Sequence, residues 1–267
     1  MKKLISLDID GTLYTSKENI GAETKAALLH AQENGCILIL ASGRPTAGLI
    51  PIADELEMNR HHGMLLSYNG GVVIEYKTGE TIYSNVIPNE LAKKLLKHLE
   101  KFDVNPIVDD GMTIYTTDPK SFQVPYESRS NHLQIKQIAN IYDAINFDPA
   151  KILIAAPAEI LERETEEIIK PFKSELDFVL SEPFYLESTL PGVSKAAALK
   201  KVCEALNVPL NDVIAFGNAQ NDIPMLELAG CAVAMSNSCE ELKNVADYVT
   251  ASNDEDGIAH ALKKFGI

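Results

Sequence analysis

Short apolar runs recur toward both ends of this chain, separated by segments long enough for helices. Leu4-Ile5-Ser6-Leu7, within a strand read over 3–8, opens the series; "CILILA" (36–41), the run through Leu65 and Leu66, "DVIAFG" (212–217) and "CAVAM" follow. Each is too short for a buried helix and lacks polar alternation, so each fits a strand covered on both faces. Helices are predicted over 22–34, stopped by Asn34-Gly35, and over 46–57, 194–206, 221–229, 238–245 and 256–265. "VVIE" and "TIYS" read as a hairpin around Lys77-Thr78-Gly79-Glu80, and "DYVT" as a last short strand. Strand, helix, strand in succession places parallel strands in one sheet with helices on both faces. The alternation breaks near residue 86 and resumes after Pro191-Gly192. In between come helix 89–102, strands 104–109 and 112–117 around Asp110-Gly111, helix 119–130, strands 133–137 and 151–156, helix 158–173 and two short strands through Ser188. That mixture predicts an α+β unit with an antiparallel sheet, inserted into an α/β, doubly wound parallel-sheet core.

Composition narrows the function. The chain has 267 residues, 46% of them hydrophobic, and can bury a large core. No stretch approaches the roughly 20 apolar residues of a membrane-spanning helix. "MKKLISLDID" lacks the apolar segment and cleavage site of a signal peptide, so a cytoplasmic location is expected. A net charge of −14 repels nucleic-acid phosphates and anionic lipid, and no nucleic acid or membrane partner is expected. A small anionic substrate must then be received by local lysines or backbone N–H groups. Cys36, Cys203, Cys231 and Cys239 show no C-x-x-C spacing and read as reduced structural thiols.

Ligands of open α/β sheets bind beyond the carboxyl ends of the strands. That edge collects Asp8-Ile9-Asp10-Gly11-Thr12, Ser42-Gly43-Arg44, Tyr68-Asn69-Gly70-Gly71 and Gly217-Asn218-Ala219-Gln220-Asn221-Asp222, and Lys195 can reach it from the start of the helix after Gly192-Val193-Ser194. Asp8 and Asp10 lie at i and i+2, and strand geometry would point them to one side. Two facing carboxylates cost free energy unless a cation, or a division between acid and base, compensates.

D-x-D-G-T at 8–12, S-G-R at 42–44, the lysine of "GVSK" and "GNAQNDIPML" resemble the four motifs of the haloacid dehalogenase superfamily of phosphatases. "SYNGGVVIE", "YLESTLPGVSK", "AVAMSNSCEELKNVADYVT" and "SNDEDGIAHAL" extend the resemblance to its Cof-type subfamily, and "MTIYTTD" and "NFDPAKILIAAPAEILE" continue it through the insertion. The resemblance implies a Rossmann-like core over 1–85 and 189–267 and a type IIB cap over 86–188. It also implies a Mg²⁺-dependent phosphatase of small phosphorylated metabolites such as sugar phosphates, as a monomer or homodimer. Asp8 would be the nucleophile that forms an aspartyl-phosphate, and Asp10 the general acid and base. Ser42, the amides of Ile9 and Gly43, Asn221 and Lys195 would bind the phosphoryl oxygens. Asp8, the Asp10 carbonyl, residue 218 and Asp222 would serve the metal. Here the sequence departs from the family pattern: Asn218 stands where Asp is usual, offering a neutral oxygen in place of an anionic one.

Alternatives remain on sequence alone. Phosphoryl transfer to a second sugar, as in phosphomutases, uses related cores, and a phosphometabolite-binding protein with little catalysis would be compatible with Asn218. Arg44 fits an ion pair with a nearby acid as well as a phosphate contact, and Asn69 fits a pocket wall as well as a turn. Asn221 also suits a helix N-cap ahead of Pro224. His61-His62 reads as an exposed pair without a third metal ligand. Tyr115, Phe122, Tyr126 and Tyr185 read as core of the inserted unit.

Overall fold

The computed structural model describes residues 3–267. The chain begins β1 (Leu4–Leu7), α1 (Ala22–Glu33), β2 (Ile37–Ala41), α2 (Thr46–Glu55), β3 (Met64–Ser67), β4 (Val72–Glu75) and β5 (Thr81–Ser84). It continues α3 (Asn89–Leu99), β6 (Asn105–Asp109), β7 (Thr113–Thr116), α4 (Val124–Ser130), β8 (Gln134–Gln137), α5 (Ile141–Ala144), β9 (Ile152–Ala155), α6 (Ala158–Ile169), β10 (Asp177–Glu182) and β11 (Tyr185–Thr189). It ends α7 (Lys195–Leu206), β12 (Val213–Gly217), α8 (Ile223–Leu228), β13 (Cys231–Ala234), α9 (Glu240–Val245), β14 (Tyr248–Val249) and α10 (Gly257–Phe265). The chain divides into two compact units. The first holds the described residues up to Arg44, then Leu49–Ser84 and Ser194–Ile267; the second holds Pro45–Gly48 and Asn85–Val193.

The first unit is built on an eight-stranded sheet in the order β14-β13-β12-β1-β2-β3-β4-β5. The strands from β14 to β3 are parallel, and β4 and β5 append an antiparallel hairpin. Strand alternation sends successive side chains to opposite faces. Ile5, Leu7, Leu38, Leu40, Ile214 and Phe216 pack with Leu28 and Ala31 of α1, Leu49 and Ile52 of α2, and Leu262 of α10. Leu4, Ile37, Ile39, Val213 and Ala215 pack on the other side with Leu199 and Val202 of α7, Met225 and Leu226 of α8, and Leu242 of α9. The α/β, doubly wound reading is borne out. The order reverses at β1, which runs outward to β2 and β3 on one side and takes β12 as its neighbour on the other. A crevice beyond the carboxyl ends of β1 and β12 is the expected ligand position in such a sheet.

The second unit has a six-stranded sheet ordered β10-β11-β9-β6-β7-β8. Leu91, Leu95, Leu96 and Leu99 line one face of α3 and pack with Leu161 and Ile168 of α6 over Ile152, Ile154 and Leu186. The sheet is not wholly antiparallel as predicted: β7 and β8 run parallel. The intervening α4 carries the chain back before β8 starts, and a helical crossover of that kind allows parallel pairing. That helix starts at Val124 rather than 119, because Asp118 folds the preceding residues into a turn, accepting from Lys120 N at 2.9 Å and, through its carbonyl, from Ser121 Oγ at 2.7 Å. The helix predicted over 158–173 stops at Ile169 and becomes a 3₁₀ turn at Lys170–Phe172, where Pro171 cannot donate. The short α5 was not foreseen; the Asn140 side chain caps it by accepting from Tyr142 N at 2.8 Å.

The turn after β3 locks the carboxyl edge of the first unit. Gly70 has φ +100°, and a Cβ on it would come within 2.4 Å of the Ser194 carbonyl oxygen, just before Lys195. Gly70→Ala is therefore expected to lower the unfolding free energy by about 2 kcal/mol or more, measured by urea denaturation. An unchanged denaturation midpoint would show that the turn is not held against α7.

Candidate active site

All the site residues named above lie in the first unit. Asp8 follows β1 directly, and its backbone N–H donates to the Phe216 carbonyl at 3.1 Å, which ties the first loop to β12. Lys195, the first residue of α7, is 1% exposed despite its charge. The Ser194 hydroxyl accepts from Ala197 N at 3.1 Å and caps that helix. The Lys195 ammonium donates to Asp8 Oδ1 at 2.6 Å and to Asp222 Oδ1 at 2.7 Å. Asp222 is wholly buried, and its other oxygen, Oδ2, accepts from the Asn218 and Ala219 amides at 3.0 and 3.1 Å. Asp8 Oδ2 is buried and has no hydrogen-bond partner.

One ammonium between two buried carboxylates leaves one negative charge uncompensated. Burial pushes the Asp8 carboxyl up from 3.8 to about 6; Lys195 opposes that shift, and the charge on Asp222 adds to it. Burial alone would lower the Lys195 pKa, but Asp8 and Asp222 together outweigh it and hold the ammonium above its ordinary value. The excess therefore falls on Asp8, at the oxygen that lacks a donor.

Asp10 behaves differently. The ladder stops at Leu7, so strand alternation does not carry through to Asp10, and the two carboxylates do not pair face to face as predicted. Asp8 turns inward, whereas the Asp10 side chain is 61% exposed and is gripped by Arg44 through both oxygens, Nη2 to Oδ1 at 2.6 Å and Nε to Oδ2 at 3.1 Å. The Arg44 guanidinium lies 5.6 Å from the centre of the Tyr14 ring. Of the two roles open to Arg44, the ion pair is the one observed.

Ser42 is buried; its N–H donates to the Leu66 carbonyl, and its hydroxyl accepts from Arg44 N at 3.2 Å. Ile9 buries its side chain in the core, and its carbonyl accepts from Thr12 N and Tyr14 N. Asn221 donates its side-chain amide to Asn69 Oδ1 at 3.2 Å, close to Gly43. Asn218 Oδ1 accepts from the Thr12 hydroxyl at 3.2 Å, while its Nδ2 fills the space where a Gly11 side chain would stand. Asp222, predicted beside the metal, has Oδ1 held by Lys195 and Oδ2 by the Asn218 and Ala219 amides. Two contributors had no role assigned from sequence, Thr12 on the edge itself and Asn237 outside the motifs. Thr12 orients Asn218, and Asn237 donates to the Gly11 carbonyl at 2.8 Å. The signal for Asn237 was its place just beyond β13, on the same carboxyl edge.

Among the described residues, no three His, Cys, Asp or Glu side chains converge as a metal centre. His62 instead pairs with Glu75, Nδ1 to Oε1 at 3.2 Å. The oxygen donors beside Asp8 are of mixed type, and its partnerless Oδ2 with one excess negative charge fits a hard divalent cation such as Mg²⁺. Among the described residues, no helix is long and apolar enough to cross a membrane.

Comparison with known proteins agrees with this geometry. The model of the haloacid dehalogenase-like hydrolases matches residues 5–262, and the chain belongs to that family. A solved haloacid dehalogenase-like hydrolase from Bacteroides thetaiotaomicron superposes with a TM-score of 0.94 at 37% identity, over 99% of this chain and 100% of the other. A protein of Streptococcus pyogenes serotype M6, provisionally named a phosphatase, is 32% identical over 98% of each chain. A solved sugar phosphatase of the superfamily's subclass IIB superposes with a TM-score of 0.77 at 27% identity, over 99% of each chain.

The raised pKa of Asp8 has a consequence for stability. Its carboxyl titrates near 3.8 when unfolded and near 6 when folded, so between those values the folded state binds more protons and stability falls as pH rises. Asp8→Asn removes that dependence. In metal-free buffer, the unfolding free energy of Asp8→Asn relative to wild type is expected to climb by about 2–3 kcal/mol from about pH 4 to about pH 7. Denaturant unfolding across that range measures it, and a flat difference would mean that folding leaves Asp8 unperturbed.

Proposed function

We propose that this protein is a Mg²⁺-dependent phosphatase of small phosphorylated metabolites, sugar phosphates foremost, working through an aspartyl-phosphate on Asp8. The observation that carries the reading is the Asp8 carboxylate, buried, with one oxygen held by Lys195 and the other without a partner. A carboxylate nucleophile needs to be ionised and aimed, and the Lys195 ammonium does both. Two of the three N–H bonds of Lys195 go to Asp8 and Asp222, leaving one for a phosphoryl oxygen. The Ser42 hydroxyl, the Ile9 and Gly43 amides and Asn221 are the further donors assigned to that group, where negative charge spreads as the ester bond breaks.

Asp10 is assigned the proton traffic. Its exposed carboxyl protonates the departing alkoxide, and the resulting carboxylate then takes a proton from the water that hydrolyses the aspartyl-phosphate. The Arg44 fork orients the Asp10 carboxylate for the second step. Asp8 Oδ2, the Asp10 main-chain carbonyl and Asn218 Oδ1 are the oxygens that would hold Mg²⁺. When bound, the ion would supply positive charge opposite the phosphoryl oxygens. The core over 1–85 and 189–267 is assigned the reaction, and the insertion over 86–188 the choice of leaving group.

Phosphate release from a panel of sugar phosphates, nucleotides, flavin mononucleotide and pyridoxal phosphate tests the reading. Turnover with Mg²⁺ is expected for at least one sugar phosphate, and Asp8→Asn is expected to lose about a thousandfold or more while melting as a folded protein. A variant within about tenfold of wild type, a barrier change of only about 1.4 kcal/mol, would remove Asp8 as nucleophile.

Asn218 offers a second test. Asn218→Asp adds a negative charge among the metal donors, and attraction to a divalent ion gains more than the repulsion among carboxylates costs. Tighter Mg²⁺ binding by calorimetry and a lower Mg²⁺ midpoint for activity are expected, each by several-fold. An unchanged or weaker affinity would take residue 218 out of the metal shell.

A further inference from the structure

The turn after β3 holds two consecutive residues in backbone conformations that side chains other than glycine seldom adopt. Tyr68 and Asn69 have φ of 53° and 55°. Such strain persists only where surrounding contacts over-determine it, and it clusters at functional sites. Here the backbone N–H groups of both residues lead to segments of the candidate active site. Tyr68 N donates to the Arg44 carbonyl at 2.9 Å and Asn69 N to the Ser42 carbonyl at 2.8 Å, while Gly70 abuts Ser194. One turn thereby braces the segments that carry Ser42 and Lys195.

The Asn69 side chain lies over Gly43. A Cβ built on Gly43 would stand 3.1 Å from Asn69 Nδ2 and 3.4 Å from Oδ1, so the amide occupies the space that a side chain at 43 would need. Oδ1 accepts from Asn221 Nδ2 at 3.2 Å. That bond fixes the orientation of the amide and leaves Nδ2 as its outward donor, with no acceptor among the described residues. Nδ2 of the half-buried Asn69 thus sits beside two groups already assigned to the phosphoryl oxygens, Gly43 and Asn221.

We infer that Asn69 is a further phosphate-binding residue, whose Nδ2 donates to a phosphoryl oxygen alongside the Gly43 amide and Asn221. The inference rests on the phosphatase reading above. The backbone at φ 55° admits glycine as readily as asparagine, so the turn itself does not require the Asn69 amide.

That contrast supplies the test. Asn69→Gly relaxes the backbone and deletes the donor; Asn69→Asp keeps the shape and the acceptor for Asn221 but turns the donor into an anionic oxygen. Vanadate inhibition, inorganic phosphate affinity, kcat and KM are measured for both variants and wild type, alongside thermal unfolding. Asn69→Gly is expected to melt at or above the wild-type temperature while binding vanadate and phosphate about tenfold more weakly, and Asn69→Asp to bind them more weakly still. Asn69→Gly that binds both anions within about twofold of wild type would overturn the inference and leave Asn69 as a turn residue. Wild type that neither releases phosphate from any ester nor binds vanadate would overturn the phosphatase reading itself, and the inference with it.

Discussion

One ammonium shared between two buried carboxylates organises the carboxyl edge of this protein. Lys195 cannot be buried as a cation without Asp8 and Asp222, and neither acid can be buried ionised without Lys195. The three come from the end of β1, the start of α7 and the loop after β12, so forming the cluster aligns three separate segments at the place where the strand order reverses. Asp222 extends the alignment by holding the Asn218 and Ala219 amides. The ion cluster is thus both the structural lock of the edge and the device that leaves one Asp8 oxygen in need of a positive partner.

Two outer layers steady that cluster. Asn237 and Ser238, beyond β13, bond to the Gly11 and Gly217 carbonyls, and Cys239 N donates to the Asn218 carbonyl at 3.0 Å. The turn at Tyr68–Gly70 does the same for Ser42 and Lys195 from the opposite flank. Neither layer contains a charged group, and both act largely through main-chain carbonyls. Uncharged braces of this kind hold loop geometry without adding to the electrostatic balance of Asp8.

Much of this was legible in the sequence, for identifiable reasons. The buried strands announce themselves as unbroken apolar runs, and the carboxyl-edge rule picks out Asp8, Ser42, Lys195 and Asn221 from the sequence alone. The chemistry of Asp10 was less legible, because i and i+2 share a face only while the strand continues, and β1 stops at Leu7. The partners of Asp222 were not legible either, because its spacing does not reveal that the loop folds back to donate two amides to it. The parallel pairing of β7 with β8 escaped for a similar reason: local pattern identifies strands, while direction depends on where a short helix returns the chain. Arg44 was readable as a partner for an acid but not for which one, since the pair spans 34 positions.

The placement of β1 in the sheet also bears on how the chain is made. Its two neighbours are β2, which follows closely, and β12, which begins only at Val213, after the whole inserted unit. During synthesis from the amino terminus, the β12-facing edge of β1 therefore lacks its native partner until Val213–Gly217 emerges. Its apolar residues Leu4, Ile5 and Leu7, buried at the end, are then part of an open strand edge able to pair with another chain. Asp8 sits at the end of that edge, so its carboxylate acquires its surroundings late, together with the strand that closes the sheet.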